Sequence, residues 1–370
     1  MLGNSTEIIS NVNGTTSGPK WYLAFYLRFI LPVFLLIGIF GNPAIGFIML
    51  RSKITVKQSY RYYYIILAWA DFFFLLIWPL PAFLGDGLYL NTNGNAYIYL
   101  DQLSTFSCKA LLGALSLPGI PAEYTKILIA AECLICLVYP LQSRSWLTVK
   151  RSILVSTIFI PVAIIICTNN ILLNELFLSS YTATGRICTF NVNHFLYPYT
   201  KNLTLYVMTI GHVGPSLILN LAIVIKLFMI SSARMRLFES GGSAGGESTK
   251  HTNQAKKNDI HASITLLCLE AIYLIIYIPN LIFFFWQRVL DEWHSVPGDT
   301  LYEHFVEISN ITYLCAYSVA VAHSMNIFVY LLRIPTFRET LCPFLHFAPA
   351  SKASDKSHTH ENLPTGKVQI

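Results

Sequence analysis

Seven long apolar runs constrain this chain more than any other feature of its sequence. They lie near residues 23–50, 62–84, 105–138, 152–173, 203–230, 262–287 and 305–332. Each can supply the roughly 20 helical residues that cross the hydrocarbon core of a bilayer. Lipid offers the backbone no water to bond, so a spanning segment must be a helix or part of a closed barrel, and the alternating polarity of barrel strands is absent. The expected fold class is an all-α membrane protein, a seven-transmembrane helix bundle embedded in the lipid bilayer. Only 12% of the residues are charged, against about 25% in an ordinary soluble domain. The net charge of +6 is spread over the connections, not massed in a basic block, which argues against nucleic acid as a partner.

The Lys/Arg balance of the connections orients the bundle. After the first run come Arg51, Lys53, Lys57 and Arg61 without an acid, and after the third come Arg144, Lys150 and Arg151, so both connections face the cytoplasm. The alternate connections lean acidic, with Asp86 and Asp101 after the second run and Asp291, Glu292, Asp299 and Glu303 after the sixth. The N-terminus is therefore outside. Three glycosylation acceptors, at Asn4, Asn13 and Asn202, all fall on that side. A fourth, at Asn310, is too close to the lipid to be used. No short apolar core precedes the first run, so that run itself is expected to direct insertion.

The chain divides accordingly into a glycosylated outer segment, 1–22, a bundle, 23–333, a short amphipathic helix, 334–347, and a disordered cytoplasmic tail, 348–370. Within the bundle, 231–259 contains GGSAGGES and is expected to form a flexible third cytoplasmic loop. The last residues, Val368-Gln-Ile370, could add a strand to a PDZ-type domain.

Of eight cysteines, only Cys108 and Cys188 meet the oxidising side, and they are predicted to pair. Cys342 stands beside Phe337, Leu341 and Phe344, where it is either a palmitoylation site or a plain interfacial thiol. In the third run, Pro118 and Pro121 each remove a backbone donor, so this helix should kink or unwind at mid-membrane. Irregular backbone at that depth must border protein or a cavity, which puts a cavity in the outer half of the bundle.

Set in order, the motifs resemble those of the rhodopsin-like G-protein-coupled receptors. Gly41-Asn42 and Leu67-Ala-Trp-Ala-Asp71 look like that family's signatures in spans one and two. Glu132-Cys133 followed by Tyr139-Pro140-Leu141 is similar to its acid–Arg–Tyr motif and loop proline, and Cys108 precedes Cys133 by the family's 25 residues. Pro215, Pro279 and Asn326-Ile-Phe-Val-Tyr330 complete the set, and Phe337-Arg338 follows as its eighth helix would. Tyr139-Pro-Leu-Gln-Ser-Arg-Ser and the long second outer loop are most similar to receptors for FMRFamide-type neuropeptides.

Three departures touch the switch residues. Cys133 stands where the family has arginine, Tyr277 where it has tryptophan, and Ile327 where it has proline. Glu132 thus lacks the arginine partner the family supplies. Asn42 and Asp71 match positions of the family's sodium-coupled polar core, but Ala122 replaces a serine ligand, and His323 is an addition. Glu123 and Lys126 lie three apart on one helix face and can pair. The Lys126 ammonium, bonded to Asp71 or Glu123, could replace bound sodium, or the pair could only fix packing.

The resemblance implies an extracellular peptide or small-molecule ligand, a heterotrimeric G protein inside, arrestin as a further partner, and a multi-pass place in the plasma membrane. Leu115 holds the position where amine receptors carry aspartate, so a biogenic amine lacks its counter-ion. The remaining pocket is apolar and aromatic, with Leu115, Asn280, Phe284, Gln287 and Tyr313 as candidates beneath Phe190 of the tethered loop. Asp291, Glu292, Asp299, Glu303 and Glu307 form an acidic rim that either steers a cationic peptide or only reflects charge sorting. No cofactor is implied, and no HExxH, GxSxG or P-loop motif supports an enzyme. A receptor-like scavenger or scaffold that binds ligand without coupling is the alternative.

Overall fold

The structure, a computed structural model, describes residues 20–51, 58–178, 186–191, 193–197, 199–200, 203, 206–207, 211–239, 267, 271–286, 300–333 and 337. Its helices are α1 (Trp21–Leu50), α2 (Gln58–Ile77), α3 (Thr105–Ala114), α4 (Ser116–Val138), α5 (Val149–Thr157), α6 (Phe159–Leu173), α7 (Gly211–Glu239), α8 (Ala271–Trp286), α9 (Thr300–Ser324) and α10 (Asn326–Arg333). Short turns carry α2 on to Asn91. Among the described residues, five stretches are long and apolar enough to cross a membrane: Trp21–Leu50, Arg61–Asn91, Val149–Leu173, Gly211–Ser232 and Val306–Leu332. α8 is apolar but shorter. The run 105–138 is the most polar of the set, because α3 and α4 together carry Lys109, Glu123, Lys126 and Glu132.

Proline places three of the interruptions. A helical proline has no N–H for the carbonyl four residues back and its ring collides with that carbonyl. Helices α2, α3 and α5 accordingly end at Ile77, Ala114 and Thr157, four residues before Pro81, Pro118 and Pro161. The kink expected in the third run is therefore a break at Leu115. The fourth interruption, at Met325 between α9 and α10, has no such proline. A π-helical turn, Tyr26–Ile30, loosens α1 just before Pro32.

One boundary differs from the sequence reading. Helix α7 runs on through 231–239, which the flexible-loop assignment had included, because Ala, Arg, Met and Leu in that stretch favour helix; the glycines begin only at Gly241. The connection after α6 carries a hairpin: β1 (Asn174–Leu178) and β2 (Arg186–Phe190) pair antiparallel, with Leu176 opposite Cys188. Cys188 is bonded to Cys108 of α3, so the hairpin is tied to the mouth of that helix.

Packing is tightest where side chains are smallest. A Cβ on Gly38 would lie 2.3 Å from Leu75 and 2.5 Å from the Ser324 hydroxyl, so α1, α2 and α9 meet there only because that position is bare. An inner core gathers Ile45, Met49, Tyr63, Leu67, Ile129, Cys133 and Tyr330. An outer core joins α1, α2 and α9 through Leu27, Leu31, Leu75, Tyr313 and Tyr317. Between them lies the polar layer.

Candidate functional site

The polar layer is a cluster of buried ionisable side chains contributed by α2, α4, α7, α8 and α9. Ionisable groups at membrane depth are expensive, so their partners decide what they can do. Asp71 and His323 are both fully buried, and His323 Nδ1 lies 2.6 Å from Asp71 Oδ1. The other Asp71 oxygen accepts from the Asn326 amide. Met325, where the helix breaks without proline, lies between these two ligands of one carboxylate. The Asn42 amide of α1 donates to the His323 carbonyl at 2.9 Å, and the Phe74 ring stacks on the imidazole with centroids 4.2 Å apart.

The second carboxylate, Glu123, faces three other helices. Tyr277 donates to Glu123 Oε1 at 2.9 Å, and His323 Nε2 lies 3.3 Å from the same oxygen. Lys126 donates to Glu123 Oε2 at 3.5 Å, and His212 Nε2 lies 3.9 Å from it. The ammonium also sits 3.7 Å from the centre of the Tyr273 ring, whose negative face stabilises a desolvated cation. Tyr273 and Tyr277, one turn apart on α8, stack at 4.0 Å. Of the partners open to Lys126 in the sequence, Glu123 is the one it meets among the described residues; Asp71 is engaged by His323 and Asn326. Glu270, another conceivable partner, lies outside the described residues.

The inner acid behaves differently. Glu132 Oε1 accepts from Tyr63 at 2.8 Å and from Ser152 at 2.7 Å, so the acid that lacks an arginine neighbour is held by two hydroxyls from α2 and α5. Cys133 beside it is buried. Tyr330 is buried against Tyr64, rings 5.1 Å apart, and its hydroxyl has no hydrogen-bond partner among the described residues.

The proposed ligand positions are less concentrated. Leu115, at the helix break, packs with Trp78 against the layer of Phe74, Tyr273 and Tyr277. Phe190 on β2 is half-buried with its ring 6.3 Å from Tyr197. Asn280 and Phe284 are half-buried on α8. Tyr313 is buried beside Tyr317 in the α1–α2–α9 cluster, with ring centroids 6.3 Å apart. Glu307 is not a free rim acid: it pairs with Lys20 at 3.1 Å and accepts from Tyr22. Asn310 is buried and donates to the Val306 carbonyl. Gln287, Asp291, Glu292, Asp299, Asn4, Asn13, Asn202, Cys342 and the tail motif lie outside the described residues, as do 334–347 apart from Phe337.

Sequence reasoning missed His212 and Tyr273. His212 could have been found as an ionisable residue inside an apolar run. Tyr273 lies four residues before Tyr277 and so on the same helix face. The sequence matches no known protein-family model and no curated protein, so what the chain does has to be read from its own residues.

Proposed function

We propose that the chain is a seven-span, rhodopsin-like receptor of the plasma membrane that converts binding of an extracellular ligand, a neuropeptide, into G-protein signalling. The observation that carries this reading is the buried cluster: one network in which α2, α4, α7, α8 and α9 all hold ionisable or phenolic groups, with α1 bonded to its edge. Such a network has few arrangements that satisfy every charge, so a ligand displacing one helix shifts the others. The hairpin tethered at Cys188 and the broken helix at Leu115 lie on the side where a ligand would arrive. The acids of the sixth connection, Asp291, Glu292 and Asp299, favour a cationic peptide, and arrestin and a PDZ-type domain are the further inner partners on this reading. The test is guanine-nucleotide exchange in cells expressing the full chain, challenged with a neuropeptide library. Exchange evoked by a peptide supports the assignment; peptide binding without exchange contradicts it.

A second reading, a scavenger or scaffold that binds without coupling, is favoured by Cys133, which is buried and offers no cation to a G protein. Comparing wild type with Cys133→Arg separates the two, since exchange gained only in the variant favours the scavenger.

A further inference from the structure

We infer that the buried cluster stores one exchangeable proton on the His323–Asp71 pair, and that this proton latches α9 to α2 and α4. The hydrogen-bond geometry points to it. His323 Nε2 faces Glu123 Oε1 at 3.3 Å and the Tyr277 oxygen at 3.4 Å. The single Tyr277 proton is already spent on Glu123 at 2.9 Å, so that phenolic oxygen is an acceptor towards the imidazole. On the opposite side Nδ1 faces Asp71 Oδ1 at 2.6 Å. Acceptors therefore surround both ring nitrogens, and a neutral imidazole can donate from only one of them. One further proton, shared along the 2.6 Å contact, satisfies both.

Charge balance leads to the same count. Asp71 and Glu123 bring two negative charges into the layer and Lys126 brings one positive charge; the extra proton makes the sum zero, which is what a buried site with little solvent favours. Among the described residues, the groups facing the pair are Asp71 from α2, Glu123 and Lys126 from α4, His212 from α7, and Tyr273 and Tyr277 from α8. Neighbouring α1 and α10 contribute only the uncharged Asn42 and Asn326. Because two carboxylate oxygens lie within 3.3 Å of the imidazole nitrogens, the proton belongs to the cluster as a whole.

The consequence has a definite sign. The protonated pair bonds α9 to both α2 and α4 in acid and at neutral pH. Raising the pH removes the proton, leaves one nitrogen facing an acceptor without a hydrogen, and adds a buried negative charge, so the latch weakens as pH rises. On the receptor reading, the latched form is the resting form and alkaline pH favours signalling. That consequence rests on the receptor proposal, whereas the proton itself is a property of the chain.

The test uses the full-length protein in lipid nanodiscs with isotopically labelled histidine and phenylalanine, observed by solid-state NMR between pH 6 and 9. Accessible histidines lose their second proton near the usual imidazole value, about 6.5. The expected result is one histidine that keeps both ring protons at pH 8, shows contact with the Phe74 ring, and is missing in His323→Asn. The wild-type thermal midpoint should also fall by about 3 °C or more between pH 7 and 9, and His323→Asn should abolish that slope. The inference is overturned if no histidine in contact with Phe74 keeps both protons at pH 8. The wild-type spectra decide the matter even if the variant fails to fold. A missing proton leaves the receptor proposal standing, and absent nucleotide exchange leaves the proton standing.

Discussion

Asp71 and His323 lie 252 positions apart in the chain and 2.6 Å apart in space, with no solvent at either side chain. A buried charge stripped of its partner is among the costliest single changes a protein can suffer, about 3 to 5 kcal/mol. His323→Ala should therefore lower the thermal midpoint of the purified protein far more than Asn42→Ala, which removes one neutral hydrogen bond. Equal effects from the two substitutions would show that the Asp71 contact does not hold α2 and α9 together.

Lys126 neutralises Glu123 and caps the Tyr273 ring. Lys126→Met should leave Glu123 uncompensated and loosen α8 from α4; on the receptor proposal it should also raise basal nucleotide exchange by roughly tenfold, which is about 1.4 kcal/mol of the resting equilibrium. Adding Glu123→Gln should restore much of the wild-type behaviour, because the two changes then cancel in charge. Unaltered basal exchange in Lys126→Met would reduce the pair to a packing device.

The Cys108–Cys188 bond closes a loop across 80 positions of sequence. Breaking such a loop costs about 2 to 4 kcal/mol. Cys108→Ser and Cys188→Ser should each reduce thermal stability by a similar amount, and the double variant should be no worse than either single one. Additive losses measured in the same unfolding assay would mean that the cysteines act independently.

In the connection between α2 and α3, burial pushes the Asp101 carboxyl above its ordinary range. The charged form is then less favourable folded than unfolded, so Asp101 costs stability at neutral pH and ceases to do so once protonated. Asp101→Asn should give a small gain in thermal midpoint at pH 7 that disappears below the usual carboxylate values. A gain that persists in acid would trace to something other than charge burial.

Much of this arrangement was legible in the sequence, and the remainder fails for identifiable reasons. Apolar run length locates the five membrane-length stretches among the described residues, and three helices end four residues before a proline. The Glu123–Lys126 pair follows from helical spacing, and the Cys108–Cys188 bond follows from the expectation that both cysteines share one side of the lipid. None of these needs long-range information. The meeting of Tyr277 with Glu123, 154 positions away, does, because helix order alone does not say which faces of α4 and α8 touch. The β1–β2 hairpin escaped notice because five-residue strands in a long loop carry little periodicity. Hydrophobicity likewise could not say that Tyr63 and Ser152 would take over Glu132.

The central claim is the path of the chain through the lipid, and insertion of epitope tags tests it most directly. Tags at the N-terminus and within 287–299 should bind antibody on intact cells, while tags within 240–259 and at the C-terminus should bind only after permeabilisation. An N-terminus and C-terminus found in the same compartment, or 240–259 found outside, would contradict the seven-span arrangement and the receptor assignment with it.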